Sequence, residues 1–333
     1  MNKRNHNIDV LKALAIIAVI LLHSLPIELL FSSGAPYHIW QTVPIFMLLA
    51  GYNTANSYQR RNYEYLNQFY NFSFLYKKIE RLVYPFLLVW FVQVIAQYVL
   101  NSGLSASELF ISLISGGWGP GSYFVPIIIQ ATLILPLIYL LCRKNLTAMT
   151  ITLFIVSLLI EVVCLLMDMP EGVYRLLVFR YLFALTLGVW LALNTKKINY
   201  KWLIPLSIIS LIYITGVNYF DWVFIMEEYW LSQHAPSFFW TLLIIIAGLK
   251  LYQFKADNVI SKFFVKIGQA SYHIFLVQMA YFWGIASRLP SMPLIVYLTI
   301  SVIVCVVMGL LFFEMENKVR SLIKNNKNKN IAA

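Results

Sequence analysis

The stretch IDVLKALAIIAVILLHS, residues 8–24, decides the fold. Outside Asp9, Lys12, His23 and Ser24 every residue in it is aliphatic. Carried on through residue 30, it exceeds the ~20 residues that an α-helix needs to cross a bilayer core. Backbone N–H and C=O groups must find their partners inside the segment when lipid surrounds it, so the segment is read as a helix. Lys3 and Arg4 precede it, but no small-x-small cleavage site follows, and a retained first span is expected rather than a signal peptide.

Working outward, the same kind of run recurs. Spans are placed at 8–30, 38–58, 75–100, 119–141, 146–167, 174–194, 201–220, 236–252, 263–287 and 293–314. The fold class is therefore all-α: a polytopic transmembrane helical bundle of about ten spans. Composition agrees. Of the 333 residues 60% are hydrophobic and 12% charged, against about 25% charged in soluble chains. The mean hydropathy is +0.74. This excludes a soluble enzyme domain and leaves one membrane domain over 1–317. Residues 318–333 form a basic tail, expected to be disordered and to favour anionic lipid.

A net charge of +11 raises the question of nucleic acid. The distribution of the charge answers it. With the N-terminus inside, all 25 basic residues except Arg175, Arg180 and Arg288 fall in the spans' inner flanks and loops. This is the asymmetry of cytoplasmic loops, not a nucleic-acid face. Both termini are expected in the cytoplasm, with the chain in the cell membrane. The inner stretch QRRNYEYLNQFYNFSF (59–74) is expected to hold an interfacial helix, and NSGLSASELFISLISGGWGPGS (101–122) a partial re-entrant loop. Cys142, Cys164 and Cys305 lack metal or redox spacing and read as apolar fillers.

Ionisable side chains inside a membrane are costly and mark function by default. Lys12 and His23 are eleven residues apart, which at ~100° per residue returns to within about 20° and separates them by ~16 Å along one helix face. A cationic anchor near one surface with a base deeper in would result. The competing explanations are a snorkelling Lys12 and a His23 that merely packs. Histidine titrates near neutrality and can take the proton of a hydroxyl that attacks an acyl carbonyl. Asp9 lies three residues before Lys12, where the two can pair. The third span opens with FLYKKIERLVYPF (74–86). Its Lys77, Lys78 and Arg81 suit a phosphate or pyrophosphate, although alone they are also an ordinary positive anchor. Pro44, Gly51 and Asn53 in the second span would let helices approach closely or open a pocket. No metal motif occurs.

Taken in order, these segments resemble the acyltransferase-three family of bacterial membrane acyltransferases. That family opens with an aspartate, a basic residue three later and a histidine eleven beyond, here Asp9, Lys12 and His23. Its Phe-x-x-Ser-Gly-like pattern is similar to FMLLAGY (46–52), with Ala50 for serine. Its Arg-x-x-Arg pair is matched by Lys78 and Arg81, followed by Pro85. SYFVPIIIQATLILP (122–136), GQASYHIFLVQ (268–278) and Phe313–Glu314 follow in family order. Gln278 stands where the family has a histidine, and glutamine cannot take a proton at neutral pH.

The resemblance implies an acyl-CoA donor, usually acetyl-CoA, entering from the cytoplasm, and a hydroxyl acceptor on a cell-surface polysaccharide or its lipid-linked precursor. It implies catalytic roles for His23, as base or acyl relay, and for Lys12 and Asp9, and places Lys77, Lys78 and Arg81 on the donor's phosphates. The alternative is a flippase or exporter of lipid-linked saccharide, without chemistry. The absence of internal repeats counts against a carrier.

Overall fold

The computed structural model describes residues 5–101, 103–194, 198–222, 233–251 and 258–332. Lys3, Arg4, Lys196, Lys197 and Lys255, which the orientation reading counted, lie outside them. Among the described residues all regular structure is helical. The order is α1 (His6–Ser24), α2 (Ile27–Ser32), α3 (Thr42–Arg60), α4 (Leu66–Phe69), α5 (Phe72–Asn101), α6 (Ala106–Ile114), α7 (Phe124–Lys144) and α8 (Leu146–Leu166). Then come α9 (Glu171–Tyr174), α10 (Leu182–Asn194), α11 (Tyr200–Tyr219), α12 (Phe238–Leu251), α13 (Val259–Gln269), α14 (Ser271–Gly284) and α15 (Leu294–Ala332). Short 3₁₀ turns precede α10 and α12. Six helices, α1, α5, α7, α8, α11 and α15, are long and apolar enough to cross a membrane; Val178–Asn194 and Ala235–Lys250 are shorter apolar segments. The chain is a multi-pass membrane protein.

Contacts between helix ends show that successive long segments run up and down. At the end where α1 begins, Asn7 donates to the Leu249 carbonyl of α12 (3.1 Å). There Lys78 at the start of α5 meets Tyr58 at the end of α3 (3.4 Å), and Lys266 of α13 pairs with Glu314 of α15 (2.9 Å). At the opposite end, Tyr37 bonds Thr215 of α11 (2.7 Å). There Trp240 of α12 donates to the Tyr37 carbonyl (2.7 Å). These ends are called proximal and distal below.

Small residues set the two tightest crossings. A Cβ on Gly188 of α10 would lie 2.0 Å from the Leu48 carbonyl oxygen of α3, and one on Gly51 of α3 would lie 2.2 Å from that of Leu185. The two backbones are thus in direct contact, as small residues permit in membranes. A Cβ on Gly268 of α13 would lie 1.7 Å from the Asp9 carbonyl oxygen of α1. That contact seats the first span against the segment that precedes α14.

Several expected spans are interrupted. The 8–30 segment ends as α1 at Ser24; Pro26, which lacks an N–H, starts the separate α2. The 174–194 segment has a 3₁₀ turn and a 13-residue helix, and 263–287 breaks at Ala270. Between the end of α3 at Arg60 and the start of α5 at Phe72, the 59–74 stretch holds the four-residue α4. α15 runs on through the basic stretch to Ala332, and no proline or glycine follows Gly309.

The 101–122 segment folds as α6 followed by a loop carrying Gly116, Gly117, Gly119 and Gly121, all at positive φ. A side chain is strained in that backbone region. The loop is pinned to the bundle. Gln93 of α5 donates to the Trp118 carbonyl (2.6 Å) and accepts from the Trp118 N–H (3.3 Å). A Cβ on Gly119 would fall 2.3 Å from the Met279 carbonyl oxygen of α14. Gly121 and Tyr123 are carried to the site in this way.

Candidate functional site

α1 presents Lys12 and His23 to one cavity of about 180 Å³. The predicted shared face is therefore real, and it faces inward. α3 contributes Val43, Phe46, Ala50 and Asn53 to the wall, α7 and its preceding loop Gly121, Tyr123 and Phe124, and α14 Ser271, Tyr272 and Phe275. The walls are mostly apolar with a few polar groups, the usual make-up of a small-molecule site. Tyr272 is engaged by the Leu82 carbonyl (2.8 Å). No described residue hydrogen-bonds the side chains of His23, Asn53 or Ser271. His23 has only an aromatic neighbour, Phe282, with ring centroids 5.9 Å apart. Asp9 is buried at 2% exposure and does not line the cavity.

A second hollow of about 520 Å³ lies at the proximal end, lined by Ser57, Arg61, Tyr63, Gln68, Asn71, Ser73, Phe74, Lys77, Lys78 and Arg81. All three cations expected to hold phosphate are on its wall, joined by Arg61 from the end of α3. No carboxylate is among its described lining residues. Lys78 sits over the rings of Tyr58 (4.8 Å) and Phe74 (4.9 Å), and Arg61 over Phe74 (4.7 Å). These cations rest on aromatic faces, and no carboxylate in the described lining neutralises them.

The cavity and the bowl share two helices. On α3, Asn53 of the cavity is followed by Ser57 of the bowl; on α5, Lys78 of the bowl is followed by Leu82 of the cavity. Each step is four residues, ~6 Å along the axis.

Two buried ionic clusters escaped the sequence reading. His273 bonds Glu316, which accepts from Arg320 (2.6 Å), and Arg320 reaches Glu80 (3.4 Å), tying α14 and α15 to α5. Distally, His234 pairs with Glu161 (3.0 Å). Nearby, Arg180 donates to Gln233 (2.8 Å) and Tyr181 (3.0 Å). Glu161, alone in the apolar run LLIEVVCLL, was a readable signal. His234 stands at a distal span edge, and its pairing partner is far off in sequence. The three cysteines are free and buried.

Gln278 is fully buried and absent from the cavity wall; its amide donates weakly to the Pro120 carbonyl (3.4 Å), and its Oε1 has no partner. It thus bears on the glycine loop and not on the cavity wall. An apolar group of similar shape gives up one long hydrogen bond and removes one orphaned buried oxygen, two small effects of opposite sign. Gln278→Met is expected to keep thermal stability within about 1 kcal/mol and to retain most of the wild-type activity. A loss of activity in a stable Gln278→Met protein would return Gln278 to the site.

Fold and site together define a helical membrane bundle in which a histidine-lined cavity lies next to a basic bowl. A family model described as an acyltransferase domain, that of the acyltransferase-three family, matches residues 5–313. The chain belongs to that family and is a membrane acyltransferase. No curated protein and no solved structure matched the chain.

Proposed function

We propose that the chain transfers an acetyl group from acetyl-CoA to a hydroxyl of a cell-surface polysaccharide or its lipid-linked precursor. The observation that carries this is the junction of the His23 cavity with an acid-free basic bowl along α3 and α5. The bowl takes the phosphates of CoA, with Arg81 able to make paired hydrogen bonds. The long pantetheine arm then lies along the α1 face toward His23. Lys12, ~16 Å from His23 along the helix, meets the donor's anionic part and not its carbonyl. The narrow, apolar cavity favours a short acyl group.

His23 acts as general base. It takes the proton of the acceptor hydroxyl as the oxygen attacks the thioester carbonyl. The C–S bond breaks, the sulfur leaves as thiolate, and the proton passes from the imidazolium to give free CoA. Asp9 supports this from α1 by fixing the start of the helix against Gly268 of α13. The proximal end is cytoplasmic, as the distribution of basic residues supports, and the donor enters there.

The test supplies acetyl-labelled acetyl-CoA to membranes with and without the chain and follows the label. Label in an alkali-labile ester on envelope glycan supports the reading. Export of unmodified saccharide with no consumption of acetyl-CoA would replace it with the carrier.

A further inference from the structure

The bowl is asymmetric along the path to His23. On α3 and its C-cap the lining residues Asn53, Ser57 and Arg61 follow at intervals of four, and on α5 Leu82, Lys78 and Phe74 do so in reverse. Arg61 and Phe74 are therefore two steps, ~12 Å, from the cavity rim, whereas Lys78 and Ser57 are one step, ~6 Å. Arg61 and Phe74 are also in contact, at 4.7 Å, so the two helices agree on this level. Resting on acyl-CoA as the donor, this order assigns the parts of the molecule. The pyrophosphate, joined directly to the pantetheine arm, falls at the nearer level of Lys78. The ribose with its 3′-phosphate is farther along the same chain.

We infer that Arg61, braced by Phe74 and Tyr63, is the residue that recognises the 3′-phosphate of CoA and so distinguishes CoA thioesters from donors lacking that group. Arg61 donates to the Tyr63 hydroxyl (3.3 Å) and lies 5.8 Å from that ring. Tyr63 packs in turn against Phe69 and Phe74, with centroids 5.5 and 5.7 Å apart. A guanidinium stacked this way loses little freedom when it binds a phosphate through two N–H groups. The neighbouring Arg143 is occupied otherwise, donating to the Tyr63 carbonyl (2.9 Å) and pairing with Glu64 (3.3 Å). Arg61 lies outside the Lys78–Arg81 pair and on a different helix.

The experiment compares acetyl-CoA with acetyl-dephospho-CoA, which lacks only the 3′-phosphate, as donors for the purified full chain and its Arg61→Ala and Arg61→Lys variants. Wild type is expected to show a KM for acetyl-CoA lower by roughly 10- to 100-fold, the scale of a charge-assisted contact. In Arg61→Ala that preference narrows to within about threefold, through KM and not kcat, and Arg61→Lys recovers part of it. Wild type with equal KM for both donors, or Arg61→Ala that keeps the full preference, overturns the assignment while acetyl-CoA remains the donor. If wild type consumes neither donor, the acyl-CoA reading itself fails, and this is a different result.

Discussion

His23→Ala is expected to lower acyl transfer by 10²- to 10⁴-fold, the usual contribution of a positioned general base, with the fold intact. The side chain lines an internal cavity and has no hydrogen-bond partner among the described residues, so removing it breaks no polar contact. Its loss enlarges a cavity that already exists, and its one ring neighbour, Phe282, is tilted 60° to it at 5.9 Å. The stability cost is therefore small and the catalytic cost large. Measuring kcat on monodisperse protein of unchanged melting temperature checks this. An equally stable variant with undiminished turnover would make His23 a packing residue.

Gly188→Ala is expected to cause a large loss of stability, because the added methyl meets the backbone of a neighbouring helix. The new Cβ would lie 2.0 Å from the Leu48 carbonyl oxygen and 2.8 Å from the Tyr52 nitrogen. Both are helix backbone and cannot rotate away. Overpacking commonly costs 1–3 kcal/mol, and about 3 or more is expected where only a helix shift relieves it. In detergent this corresponds to a melting temperature roughly 5 °C or more lower. Because α3 also carries Phe46, Ala50 and Asn53 to the cavity, transfer falls with it. Gly172→Ala is the control, since a Cβ there meets nothing within 4 Å. Equal melting temperatures for the two variants would contradict the packing account.

How far the sequence reaches depends on whether the signal is local. The Lys12–His23 face was legible because one helix fixes both positions by its own period, and the cavity lies on that face. Lys77, Lys78 and Arg81 were legible for the same reason: one turn of α5 holds them. Arg61 was not. It looked like one more positive anchor, and only the packing of the end of α3 beside Phe74 brings it to the bowl. The His234–Glu161 and His273–Glu316 pairs join residues 73 and 43 positions apart, a separation that no periodicity encodes. The breaks at Ser24 and Ala270 differ in kind. Pro26 announces the first, whereas the second has no proline and follows the close seating of Gly268 on Asp9.

The measurement that bears most directly on the account is steady-state transfer of labelled acetyl from acetyl-CoA by purified protein, comparing wild type, His23→Ala and Lys78→Ala/Arg81→Ala. If the bowl holds the donor and the cavity hosts the chemistry, His23→Ala lowers kcat, while the double variant raises KM for acetyl-CoA by about 10-fold or more. If both variants change the same parameter alike, or wild type leaves acetyl-CoA untouched in the presence of acceptor glycan, the division between bowl and cavity is wrong.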